Sequence, residues 1–178
     1  MGSSETSKLR AVLFDRDGTL VVDVPYNGDP GKVRPMAGAK AVLDSLRADG
    51  IATGVISNQS GIARGLITAE DVSKVNARVE ELLGPFDVWE VCPHAEQDGC
   101  DCRKPAPGMV HSACRKLGIP ESEAALIGDI GADVGAAEAA GATGVLVPTP
   151  VTRAEEVAAA RLVAPDLASA VGLLQGTA

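Results

Sequence analysis

The chain has 178 residues, which suits one domain with a sizeable core and is too short for two comfortable ones. Hydrophobic residues make up 46% of the chain but aromatic residues only 2%, so aliphatic side chains must build the core. The formal net charge of −8 disfavours nucleic acid as a partner, because phosphate contacts need clustered Lys and Arg. An anionic substrate would therefore have to be held by a local group of cations or by a metal ion.

The chain carries no signal for a membrane or for secretion. No apolar run approaches the length that spans a bilayer, and residues 1–8 lack the apolar centre of a signal peptide. We expect residues 1–8 to be a flexible N-terminus and residues 9–178 to form a single domain, since no linker or repeat divides them. We also expect a monomeric, cytoplasmic protein with no membrane partner.

Short apolar runs alternate with helical patterns along the whole chain. Strands are predicted at residues 11–14, 51–56, 86–91, 124–127 and 143–147, with a short edge strand at 162–163. Helices are predicted at residues 37–50, 107–117 and 166–174. A further helix runs from an N-cap at Thr68 to residue 83, a short one ends at Gly141, and another follows a capping box at 152–155. This alternation predicts an α/β fold, a Rossmann-like doubly wound parallel sheet with helices on both faces.

Polar residues follow four of the predicted strands, at the sheet edge where such folds bind ligands. They are Asp15 and Asp17, Ser57 and Asn58, Arg103 and Lys104, and Asp129 and Asp133. Carboxylates, a hydroxyl, an amide and fixed positive charge suit phosphoryl transfer, and paired carboxylates suit Mg²⁺. Two plainer interpretations stay open: Asp15 to Thr19 could be an ordinary Asp-Gly turn, and Asp133 a helix N-terminal acid.

A cluster of cysteines follows the third strand. Cys92, His94, Cys100 and Cys102 form a Cys₃His set that suits a closed, structural zinc site. Such a site would pin the loop so that the next residues, Arg103 and Lys104, point at a phosphate. The alternatives are coincidental loop cysteines or a disulfide, while His111 and Cys114 are expected to be ordinary helix residues.

Together these motifs resemble those of the haloacid dehalogenase-like phosphohydrolases, over residues 9–147. The matching residues are Asp15-x-Asp17-Gly18-Thr19, Ser57, Lys104 and Gly128-Asp129-x-x-x-Asp133. The resemblance implies that Asp15 is a nucleophile that forms an aspartyl-phosphate and that Asp17 is the general acid. It further implies that Mg²⁺ is held by the carboxylates of Asp15 and Asp129 and the backbone carbonyl of Asp17. Ser57 and Lys104 would bind the transferring phosphoryl group, and Asp133 would bind the metal through water or orient Lys104.

Residues 57–65 and 102–109 are similar to the D-glycero-D-manno-heptose 1,7-bisphosphate phosphatases, a group that lacks a large cap domain. The resemblance implies hydrolysis of the 7-phosphate, a phosphorylated small-molecule substrate, and substrate contacts by Asn58, Arg64 and Arg103. The zinc loop departs from the usual pattern of the group, since it is shorter and Ala95 stands where a second His is usual. The Pro- and Gly-rich segment 25–35 is a second departure from the pattern of the group.

Three other functions compete with this one. A histidinol-phosphate phosphatase would share the zinc loop and the catalytic motifs. A non-catalytic module that binds a phosphorylated ligand could use the same fold, because fold alone does not guarantee activity. A zinc-centred interaction protein would leave the two aspartate clusters unexplained.

Overall fold

The computed structural model describes residues 8–176. Its strands and longer helices run in the order β1 Ala11–Phe14, α1 Ala39–Ala48, β2 Ala52–Asn58, α2 Ala69–Leu83, β3 Val88–Cys92, α3 Gly108–Leu117, β4 Ala124–Gly128, α4 Gly131–Ala140, β5 Thr143–Leu146, α5 Ala154–Ala159 and α6 Leu167–Gln175. Of the predicted flexible segment 1–8, residues 1–7 lie outside the described part of the chain, as do residues 177 and 178. The proposed domain limits therefore stay a prediction.

The five strands form one parallel sheet in the order β3-β2-β1-β4-β5. β1 lies in the middle and is fully buried, and its alternate side chains enter different cores, as the pleat of a strand requires. Val12 and Phe14 pack into the core beneath α1, α2 and α6, while Ala11 and Leu13 pack into the core beneath α3 and α4. The prediction of a doubly wound sheet with helices on both faces is confirmed.

The longest connections within residues 8–176 are the segments 15–38 and 93–107, and each contains only one turn of 3₁₀ helix. Within residues 8–176 the chain therefore forms no large cap domain, in line with the expectation. In the same part of the chain, no helix has both the length and the apolar character needed to cross a bilayer.

Most predicted elements form within two residues of their expected limits. Thr68 caps α2 by accepting a hydrogen bond from the backbone N–H of Asp71, and the Asp71 carboxylate accepts one from the backbone N–H of Thr68. The predicted edge strand at 162–163 is reduced to a single parallel bridge between Val163 and Leu146.

The capping box predicted at 152–155 is wrong. The N-cap of α5 is Arg153, one residue later, and its box joins the backbone N–H of Arg153 to the carboxylate of Glu156. The hydroxyl of Thr152 is used elsewhere, because it donates to the backbone carbonyl of Asp129 at 2.7 Å. A tertiary hydrogen bond at the sheet edge has replaced the local cap.

Gly54 lies at a closely packed point in the middle of the sheet. A Cβ on Gly54 would lie 2.4 Å from Cγ1 of Val88 and 2.7 Å from Cδ2 of Leu13. We expect Gly54→Ala to lower the free energy of unfolding by about 1–3 kcal/mol, because neither neighbour can move without disturbing the core. Urea unfolding measures this, with Thr143→Ala at the exposed start of β5 as the control, expected within about 0.5 kcal/mol of wild type. A Gly54→Ala protein as stable as the control would contradict this packing.

Candidate active site

Three strand ends and one loop bring the predicted catalytic residues together. β1, β2 and β4 are neighbours in the sheet, so the residues after them, Asp15, Ser57 and Asp129, meet at one edge. Lys104 reaches the same edge from the segment after β3, and its ammonium donates to the backbone carbonyl of Ile56 at 2.9 Å. The catalytic residues expected from four separate motifs thus form one cluster.

A buried ion-pair network lies at the centre of this cluster. The Lys104 ammonium donates to the carboxylate of Asp15 at 2.8 Å and to that of Asp133 at 2.6 Å. Lys104 and Asp133 are buried, with 4% and 0% of their surface exposed. Burial alone would lower the pKa of Lys104, but the two carboxylates raise it above its ordinary value. Lys104 is therefore a fixed positive charge at neutral pH.

The carboxylates outnumber the cation that faces them. Burial raises the pKa of Asp15, and the nearby charges of Asp133 and Asp129 raise it further, while Lys104 opposes the shift. Burial, followed by the charge of Asp133, raises the pKa of Asp129 to about 6. The site is thus short of positive charge when all three carboxylates are ionised.

The same carboxylates fit a divalent cation. Asp15, Asp129 and Asp133 each offer an oxygen within 4.8 Å of the others. Gly18 leaves room beside them, because a Cβ there would lie 2.4 Å from Oδ2 of Asp129. Hard oxygen ligands converging on one small space are the donor set that Mg²⁺ prefers.

Asp17 is held by residues that the sequence interpretation did not single out. Its carboxylate pairs with the guanidinium of Arg16 at 3.1 Å and accepts a hydrogen bond from the amide of Gln59 at 2.9 Å. Arg16 is only 1% exposed, and its Nη1 donates to the side chain of Asn76 on α2. Arg16 lies inside the motif at 15–19 and Gln59 inside the motif at 57–65. The sequence signal that could have identified them is a large polar residue at the end of a buried strand.

Ser57 and Asn58 take different positions. Ser57 is 1% exposed, and its hydroxyl accepts a hydrogen bond from the same Gln59 amide at 2.8 Å. The side chain of Asn58 instead forms two hydrogen bonds with the backbone of Lys104. It accepts one from the N–H at 3.0 Å and donates one to the carbonyl at 3.2 Å. Asn58 therefore fixes the loop that carries Lys104.

Arg103 and Arg64 lie beside this cluster, at adjoining cavities. Arg103 and Lys104 line a cavity of about 410 Å³, while Arg103 and Arg64 line a more polar one of about 230 Å³. Glu96 contributes to both cavities. Nη1 of Arg103 is buried without a hydrogen-bond partner among residues 8–176. An unpaired buried guanidinium donor is costly, which makes this spot suited to an anionic ligand.

The four predicted zinc ligands converge at the end of β3. The Sγ atoms of Cys92, Cys100 and Cys102 lie 3.0–3.7 Å apart, and Nδ1 of His94 lies 3.5 Å from Cys92 and 3.2 Å from Cys102. The ligand atoms around a tetrahedral Zn²⁺ are about 3.3–3.8 Å apart, so this set fits such an ion closely. The disulfide alternative is wrong, because all three cysteines are free thiols.

The thiols of this cluster are unequal. Burial opposes ionisation of Cys100, but the backbone N–H of Arg103 and the thiol of Cys102 lower its pKa to about 7. Burial and the neighbouring sulfurs of Cys92 and Cys100 raise the pKa of Cys102 to about 12. A cation at the centre would favour the thiolate form of all of them, since thiolates are the ligating species.

His111 and Cys114 lie apart from the cluster, as expected. Nδ1 of His111 is 2.6 Å from the carboxylate of Glu121, and Cys114 is buried in the core beneath α3. Neither of them forms a hydrogen bond or an ion pair with a predicted site residue among residues 8–176.

Comparison with known proteins points to one family. A family model described as HAD-hydrolase-like matches residues 101–170. A D-glycero-beta-D-manno-heptose-1,7-bisphosphate 7-phosphatase from Vibrio cholerae is 36% identical over 163 residues, covering 84% of this chain and 88% of the relative. Its counterpart from Yersinia pestis is 36% identical over 169 residues, covering 86% of this chain and 89% of the relative. The chain belongs to the haloacid dehalogenase-like phosphohydrolases, in the group of these phosphatases.

A solved structure of the same group superposes along almost the whole chain. It is a D,D-heptose 1,7-bisphosphate phosphatase from B. bronchiseptica, complexed with magnesium and phosphate, with a TM-score of 0.83 and 27% identity. The match covers 96% of this chain and 100% of that one. Membership of this phosphohydrolase family makes the protein a phosphoric monoester hydrolase.

The excess of carboxylates predicts an unusual dependence of stability on pH. The pKa of Asp129 is about 6 in the folded protein against an ordinary value of 3.8, so the cation-free fold loses stability as the pH rises from about 4 to about 6. We expect Asp129→Asn to raise the free energy of unfolding by about 1–3 kcal/mol at pH 8 and by much less at pH 4. Urea unfolding in the presence of a chelator measures both values. A gain of equal size at the two pH values would contradict this electrostatic cause.

Proposed function

We propose that the protein is a Mg²⁺-dependent phosphatase that removes the 7-phosphate of D-glycero-D-manno-heptose 1,7-bisphosphate. The observation that carries this proposal is the contact of the buried Lys104 with Asp15. Asp129 lies beside this contact, and the cavity of Arg103 and Lys104 adjoins the cavity of Arg103 and Arg64. The named function of the relatives supports the substrate.

The reaction proceeds in two displacements at phosphorus. A carboxylate oxygen of Asp15 attacks, the bond between phosphorus and the sugar oxygen breaks, and Asp17 gives its proton to the leaving oxygen. Water then attacks the aspartyl-phosphate, Asp17 takes its proton, and the bond to Asp15 breaks to release phosphate. Arg16 and Gln59 keep the Asp17 carboxylate at one place through both steps.

The cation and the phosphoryl group have separate sets of ligands in this proposal. Mg²⁺ would be held by the carboxylates of Asp15 and Asp129 and by the backbone carbonyl of Asp17. When bound, it supplies positive charge that offsets the repulsion between a carboxylate and a phosphate dianion. Lys104 and the hydroxyl of Ser57 bind the phosphoryl oxygens. Asp133 orients the Lys104 ammonium, which its 2.6 Å ion pair supports.

The second phosphate of the substrate would occupy the smaller cavity. Arg103 lines both cavities, so it lies between the reacting phosphate at Lys104 and an anion near Arg64. The unpaired Nη1 of Arg103 supports an anionic occupant. Asn58 is expected to contribute to substrate binding, and its two hydrogen bonds to the Lys104 backbone add a positioning role.

Zn²⁺ held by Cys92, His94, Cys100 and Cys102 has a structural role in this proposal. Four protein ligands leave no open position for water. The closure of this loop fixes the chain next to Cys102, where Arg103 and Lys104 follow. A cytoplasmic location and a monomeric state stay predictions.

Asp15→Asn tests the chemistry and the substrate together. We expect wild type to release phosphate from D-glycero-D-manno-heptose 1,7-bisphosphate, and Asp15→Asn to lose at least about 10³-fold in kcat, because the amide is a poor nucleophile. The comparison should include both anomers of the bisphosphate and histidinol phosphate. His111→Ala, at the surface ion pair with Glu121, is the control and should retain the wild-type rate.

The outcomes of this comparison separate the competing functions. Faster turnover of histidinol phosphate than of either heptose bisphosphate would assign the protein to the runner-up enzyme. No turnover of any phosphate ester with Mg²⁺ present would favour the binding module.

Cys100→Ser tests the zinc site. We expect this variant to lose most of its bound zinc and to unfold at a lower temperature, because a structural zinc site contributes directly to folding. Elemental analysis of the purified protein measures the metal, and Cys114→Ser is the matched control, since Cys114 is a buried cysteine that is not one of the four converging ligands. Wild-type protein without zinc, or equal zinc in both variants, would disprove the assignment.

A further inference from the structure

Tyr26 has an uncommon backbone conformation. Among residues 8–176 it is the only residue other than glycine with a positive φ, at 51°. The left-handed region is unfavourable for a bulky side chain, and such residues are held there by their surroundings. Tyr26 lies in the Pro- and Gly-rich segment between β1 and α1. The proposed catalytic mechanism assigns no role to this segment.

The surroundings of Tyr26 are well fixed. At the base of its loop, Val21 pairs with Pro35 in an antiparallel bridge. Asn27 is buried, with its side chain bound to the backbone N–H of Asp29 at 2.8 Å. On the other side, the ring lies against the backbone of Gly61, where an added Cβ would be 2.8 Å from Cδ1 of Tyr26. The loop between β1 and α1 therefore holds the Tyr26 ring against the turn that follows β2.

The side chain of Tyr26 meets a single charged partner there. Nη1 of Arg64 donates to the Tyr26 hydroxyl, and the guanidinium carbon is 5.3 Å from the centre of the ring. No other side-chain partner of Arg64 occurs within residues 8–176, so the remaining N–H groups of its guanidinium are available to a ligand. A long, exposed arginine that would otherwise sample many rotamers is thereby fixed by one aromatic residue.

The fixed guanidinium lines the polar cavity of about 230 Å³, together with Arg103 and Ser60. The two arginines outweigh the one carboxylate there, that of Glu96. A preorganised cation loses less conformational entropy on binding an anion than a mobile one does. The contact with Tyr26 thus favours binding of a second anionic group of the substrate.

We propose that Tyr26 is a positioning residue that sets substrate specificity, by holding Arg64 against the second phosphate of a bisphosphate. The inference rests on the proposed function, because it requires a substrate with two phosphates. It assigns the segment between β1 and α1 a role in selecting sugar bisphosphates over monophosphates.

Two substitutions separate the hydroxyl from the ring. Tyr26→Phe keeps the ring and removes the hydroxyl, whereas Tyr26→Asn removes the ring and keeps a residue that tolerates positive φ. The measurement is kcat and KM for D-glycero-D-manno-heptose 1,7-bisphosphate and for the corresponding 7-monophosphate. We expect Tyr26→Asn to lower the ratio of the two kcat/KM values about tenfold, mainly through a higher KM for the bisphosphate. Tyr26→Phe should produce a smaller loss in the same direction.

A double-mutant cycle with Arg64→Ala shows whether Tyr26 acts through Arg64. Arg64→Ala alone should lower the ratio at least as much as Tyr26→Asn, and adding Tyr26→Asn to it should change the ratio little. Additive losses, or an unchanged ratio in both Tyr26 variants with only a lower melting temperature, would overturn the inference while the proposed function stands. A wild-type enzyme without preference for the bisphosphate would overturn both.

Discussion

The ammonium of Lys104 lies between the carboxylates of Asp15 and Asp133, and the other parts of the site depend on this contact. Two buried carboxylates without a cation would repel each other at the end of a fully buried strand. The lysine permits these carboxylates to stay close, but it does not balance all the negative charge, since the pKa of Asp129 remains raised. The remaining excess of negative charge at this edge of the sheet suits a divalent cation.

Two restraints hold Lys104 at this point, although it belongs to a long loop. Asn58 at the end of β2 binds its backbone on both sides, and the Cys₃His cluster ends two residues before it. The ligand atoms of this loop converge within 4.8 Å of one another. A 3₁₀ turn at Glu96–Asp98, with Asp98 accepting a hydrogen bond from the backbone N–H of Ala95, shapes the loop between His94 and Cys100.

The sheet and the catalytic cluster could be predicted because they depend on local patterns. Apolar runs identify strands, and parallel strands bring their carboxyl ends to one edge, so Asp15, Ser57 and Asp129 had to meet. What escaped prediction depends on contacts between distant segments. The hydroxyl of Thr152 bonds to Asp129 instead of capping α5, and the Gln59 amide joins Asp17 to Ser57. Nothing in the local sequence at Tyr26 indicates its partner, Arg64.

Asp17 and Lys104, the proposed acid and the proposed phosphate-binding cation, are held in different layers of the molecule. Asp17 is held through Arg16 by Asn76 of α2, a helix that packs on one face of the sheet. Lys104 follows a cysteine loop that packs with the core on the opposite face. Neither layer alone positions both groups, so local opening of either face would separate the proposed acid from the proposed phosphate-binding charge. If these roles hold, phosphatase turnover is a measure of the integrity of the entire fold, and an enzyme with one loosened layer would lose activity before it lost its sheet.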